Sequence, residues 1–138
     1  MNKLKHLEII QGVINRMAGN SFLVKGWCVT LVAAIIALAS KDDDKRFIVV
    51  AFYPVLMFWV LDAYFLNQER LYRNLYDKVR LEDEAAVDFS MNAKAVPPPA
   101  GKPKETWVRA FLSLTLLLFY AVMVVAILLC MLLVLRVI

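Results

Sequence analysis

The stretch FWVLDAYFLNQERLYRNLYDKVR, residues 58–80, changes character halfway along. Up to Leu66 it is apolar apart from Asp62. From Asn67 onward, charged and amide side chains surround Leu71, Leu75 and Val79, which recur every four residues. That spacing marks one face of an α-helix. A helix that is apolar all round and then becomes one-sided passes from lipid into water. The composition agrees: 62% hydrophobic residues and a mean hydropathy of +0.65 lie far from those of a soluble domain of 138 residues.

Working outward, three segments are long and apolar enough to cross a bilayer core, which takes about 20 helical residues. They are residues 22–39, interrupted by Lys25; residues 47–66, interrupted by Asp62; and residues 110–135, without charge, Gly or Pro. The third is too long for an upright span and has no evident place to turn, so it is expected to tilt or protrude. The expected fold is an all-α integral membrane protein with three transmembrane helices, an N-terminal amphipathic helix and a cytoplasmic helical extension of the second span. The ALAS sequence at 37–40 also fits a signal-peptidase site, but helix-like sequence precedes the apolar run and Lys25–Gly26 breaks it, so a retained span is expected. Cys28 and Cys130 lie inside apolar spans and imply neither a disulfide framework nor a metal site.

Charge in the flanks sets the orientation. Lys3, Lys5 and Arg16 precede the first span. Arg70, Arg73, Lys78, Arg80, Lys94, Lys102 and Lys104 follow the second, whereas the turn SKDDDKR between them balances three bases with three acids. The positive-inside rule then places the N-terminus and the long connection in the cytoplasm and the short acidic turn and the C-terminus outside, with Arg136 opposing slightly. Trp27, Tyr64 and Trp107 fall near the inner boundary.

Asp62 now acquires a depth. Counted from Asp43 in the turn, Lys25 lies 18 residues back and Asp62 lies 19 forward, so an antiparallel hairpin puts both at nearly one level. A Lys25–Asp62 ion pair is the direct reading. Lys25 can instead snorkel to headgroups, and Asp62 can be a hydrated carboxylate or part of a pore or switch. Gly26, Thr30, Ala33 and Ala37 form a small-residue face expected to pack the bundle. Pro54 is expected to kink the second span, as a static bend or a hinge.

Outside the spans, Leu4, Leu7, Ile10, Ile14 and Met17 stripe an amphipathic helix over residues 1–19, closed by Gly19 with Asn20 or Ser21 as the next cap, lying on the membrane or against the second cytoplasmic helix. Residues 20–91 form the hairpin and its extension, on which Leu71, Tyr72, Leu75, Tyr76 and Val79 are a candidate partner surface. NAKAVPPPAGKPK places a Pro-rich tether at 92–106, and 107–138 is the third span.

Catalysis has no foothold here. His6 has no triad or second ligand near it, the acidic run at 42–44 is a weak cation site at most, and phosphate-loop, metal and nucleic-acid motifs are missing. No enzyme activity, cofactor or nucleic-acid partner is expected.

NRMAGNSFLVKGWCVTLVAAIIALASKD at 15–42, followed by the opening stretch, resembles SLATT-type two-helix effectors of anti-phage defence loci, over about residues 9–80. The resemblance implies a homo-oligomer in the bacterial inner membrane that permeabilises it when a cytoplasmic sensor or signalling protein reports infection. A third span departs from the two-helix pattern. In its outer half Val124 and Ile127 are candidate residues of a dry gate. Two alternatives remain: a non-pore scaffold docking a cytoplasmic enzyme, and a phage-type holin.

Overall fold

The computed structural model describes residues 2–41 and 45–136. The acidic run at 42–44, raised above as a cation site, lies outside them. Among the described residues there are helices and no strand: α1 (Lys3–Ala39), a 3-10 run (Lys45–Ala51), α2 (Phe52–Leu81), short 3-10 turns at Glu84–Ala86 and Ala93–Ala95, α3 (Trp107–Phe111) and α4 (Leu114–Arg136). Three helices are long and apolar enough to cross a membrane.

α1 is one helix of 37 residues, about 55 Å at 1.5 Å per residue, against about 30 Å of bilayer hydrocarbon. The break expected at Gly19 is absent. A mid-helix glycine costs only about 1 kcal/mol against alanine, and Ser21 spends its hydroxyl on Asp62 rather than on a cap. The amphipathic segment and the first span are therefore a single rod. Asn2 caps it, its side chain accepting from the Lys5 N–H at 2.9 Å.

Pro54 stands close to a change of helix type rather than in the middle of a uniform α-helix. It is the third residue of α2, and the chain before it winds as a 3-10 helix that runs directly into the α-helix.

Outside the apolar segments, α1 and α2 form a small module with its own core. Ile10 and Ile14 pack on Leu71, Leu75 and Val79, and Val87 and Ala93 of the following segment close over them. The stripe expected to receive a partner is thus covered by the chain itself: Leu71, Leu75 and Val79 are buried, and Tyr72 and Tyr76 are half-buried against the same core. His6 is buried here too, edge-on to Phe89 at 5.5 Å. Lys3 donates to the carbonyls of Arg80 and Glu82, satisfying acceptors at the C-terminal end of α2.

The tether is partly ordered by this packing. A turn follows at Pro99–Lys102, closed by the Lys102 N–H to the Pro99 carbonyl at 3.0 Å, with Gly101 at φ 78° where a type II turn requires positive φ.

The third apolar segment does turn, contrary to expectation. α3 ends at Phe111, Leu112 leaves helical geometry (φ −90°, ψ 12°), and α4 restarts at Leu114. The break is stabilised from α2: the Trp59 indole stacks on Phe111 at 4.5 Å and donates to its freed carbonyl at 3.1 Å. α4 then packs on the hairpin through one stripe, Leu116, Tyr120 and Ile127, with its other faces exposed.

Candidate functional site

The polar groups inside the apolar bundle converge on Asp62, which is 0% exposed. Its Oδ2 is 2.6 Å from Lys25 Nζ, so the ion pair expected from depth is formed. The Lys25 side chain keeps 20% exposure. One turn before Lys25 on the same face, Ser21 accepts from Lys25 Nζ at 2.8 Å and donates to Asp62 Oδ1. From α4, the Tyr120 hydroxyl lies 3.0 Å from Asp62 Oδ2 and 3.1 Å from the Phe58 carbonyl, its single proton shared between the two acceptors. Lys25 also sits 5.8 Å from the centroid of the Phe119 ring, a cation–π approach.

One carboxylate is therefore held by a cation, a serine and a phenol, and the three apolar helices each supply at least one group. A buried carboxylate without partners costs many kcal/mol in a low dielectric. Satisfied on both oxygens, it becomes a geometric constraint, because any rotation or slide of one helix strips it of a partner. Aromatic packing surrounds it. Trp59 is stacked between Phe111 and Tyr120, at 4.5 and 5.5 Å, so the α3–α4 break and the charge junction share one rigid ring system.

Sequence reasoning found Lys25 and Asp62 and missed the roles of Ser21 and Tyr120. Ser21 had a signal, since it stands four residues before Lys25 on one helix face. Tyr120 stood out only as a phenol in an otherwise apolar span; its register against α2 is set by the long connection.

The small-residue face is placed differently from expectation. Gly26, Thr30, Ala33 and Ala37 are all exposed, and nothing lies within 4 Å of a methyl built on Gly26. α1 packs instead through Ser21, Val24, Cys28, Val32 and Ala39. Cys28 and Gly26 are two residues apart, about 200° around a helix, so pointing one inward turns the other outward. Thr30 folds its hydroxyl back onto the Gly26 carbonyl at 2.9 Å.

The candidate gate is also displaced. Ile127 is buried and Val124 half-buried, both packed with Cys28 and Val32 inside the chain's own core rather than on an outer face. The large groove of about 690 Å³ on the α1–α2 face, bordered by Tyr53, Met57, Tyr64 and Trp107, is apolar and separate from Asp62.

No protein-family model, curated protein or solved structure matches this chain.

Proposed function

We propose that this chain is a bacterial inner-membrane effector that self-associates and permeabilises the membrane when its cytoplasmic module receives a signal from a partner protein, with its N-terminus in the cytoplasm and its C-terminus in the periplasm. The observation that carries this reading is the continuity of α1 and α2. Each runs unbroken from the module into the apolar bundle, and both meet at the Asp62 junction. A displacement at the module end is carried by stiff rods to the junction where, among the described residues, side chains of the three apolar helices are bonded to one another. Such a junction has two arrangements, paired and unpaired, which a switch needs.

Self-association fits the exposed Gly26–Thr30–Ala33–Ala37 face, because small side chains let a second helix approach closely in a bilayer. The outward residues of α4, Val122, Val125, Leu129 and Leu132, are apolar, which keeps a resting assembly dry and closed. The same apolar exterior favours a second reading, a non-conducting scaffold, since a scaffold needs no wet path.

Induced expression in cells loaded with a membrane-potential dye separates the two. Depolarisation that follows induction within minutes supports the effector. Growth with undisturbed potential, at verified membrane insertion, supports the scaffold.

A further inference from the structure

Away from the Asp62 junction, a recess of about 400 Å³ opens beside the N-terminus of α4, lined by Arg70, Val108, Arg109, Leu112, Ser113 and Leu114. Two guanidinium groups from different helices border one small space there. Arg109 makes no ion pair among the described residues, whereas Arg70 is held by Glu105 at 3.4 Å. Ser113 is only 9% exposed, and its hydroxyl is buried without any hydrogen-bond partner. A buried, unpaired hydroxyl is costly unless something supplies the missing bond. It stands immediately before a helix of 23 residues, whose first N–H groups have no acceptor within the helix and whose dipole favours an anion.

The charge balance selects the anion. Two arginines against one glutamate leave a single net positive charge, which suits a monoanionic phosphodiester better than a dianionic phosphate ester. The rim selects its carrier: Val108, Leu112 and Leu114 are 56%, 57% and 72% exposed and apolar, at the foot of an apolar helix. A molecule filling this place has a phosphate on the arginine side and hydrocarbon along α4.

We infer that the recess between α2, α3 and the start of α4 is a binding site for the phosphodiester headgroup of an anionic membrane lipid, with Arg109 and Arg70 contacting the phosphate and the Ser113 hydroxyl donating to it. The bound lipid fastens α4 at its starting end, in addition to its packed stripe and the Tyr120 bond to Asp62.

The test uses the full chain in an uncharged detergent, with bound lipid counted by native mass spectrometry after addition of phosphatidylglycerol or phosphatidylcholine. Phosphatidylglycerol is expected to be retained in preference. Arg109→Gln should lower its apparent affinity about tenfold, the loss of one charge-assisted contact, and Ser113→Ala should lower it less, both with unchanged helix content by circular dichroism. Inorganic phosphate is added as a competitor. Failure to displace the lipid assigns the site to a headgroup, whereas full displacement assigns the same phosphate contacts to a free anion. Equal retention of the two lipids by the wild-type chain, or undiminished phosphatidylglycerol binding by both Arg109→Gln and Arg70→Gln, would overturn the assignment.

Discussion

Asp62 has its charge balanced by Lys25 and its lone pairs filled by Ser21 and Tyr120, so its substitution is felt mainly through what it leaves behind. Asp62→Ala strands a largely buried ammonium and is expected to destabilise by about 3–5 kcal/mol, while Lys25→Ala/Asp62→Ala costs less than the sum of the single changes. Unfolding of the detergent-solubilised protein measures this, and strictly additive losses would show that the pair is not coupled. His6 is the opposite case. Both ring nitrogens are buried without partners, so His6→Leu removes two unsatisfied polar atoms at little cost in volume and is expected to raise the unfolding midpoint; a lower midpoint would mean that the imidazole has a partner in the folded protein. The shared depth of Lys25 and Asp62 was legible from counting alone, because helical rise and a short turn fix relative depth in a hairpin, whereas the rotation that makes them face each other was not. His6 was not, because its burial depends on residues 82–96 folding back, and no local pattern announces that.

At the level of elements, the long apolar helices were readable and their joints were not. Hydropathy locates apolar helices well, since a bilayer demands a minimum length. Whether a helix stops at Gly19, or a long apolar run breaks at Leu112, depends on tertiary partners: Ser21 drawn to Asp62 in one case, and Trp59 supplying a donor to the Phe111 carbonyl in the other. The rotational setting of α1 was misread for a related reason. The spacing of small residues points to one face, while the need of Ser21 and Lys25 to meet Asp62 turns nearly the opposite one inward. Continuity of α1 makes a direct prediction. Nothing lies within 4 Å of a methyl at Gly19, so Gly19→Ala should stabilise by about 0.5–1 kcal/mol through helix propensity. If a turn interrupts the helix there, the same change will be neutral or destabilising in thermal unfolding.

For the molecule as a whole, a self-covered module and an apolar bundle are joined by two unbroken helices and locked at one polar junction. The proposed orientation is tested by single cysteines labelled with a membrane-impermeant maleimide in whole cells, in a background lacking Cys28 and Cys130. Position 43 should react from outside and position 98 should not; the reverse pattern would invert the topology. The proposed mechanism rests on the junction holding α4 against the hairpin, and Tyr120 is the only α4 side chain bonded to Asp62 among the described residues. Tyr120→Phe removes that bond and keeps the ring stacked on Trp59, so it loosens the lock with little change in packing. The most direct measurement is electrical: purified full-length wild type and Tyr120→Phe, side by side in planar bilayers, with insertion verified. The account predicts mostly silent membranes for the wild type and frequent conductance steps for Tyr120→Phe. Silence from both inserted proteins would contradict it.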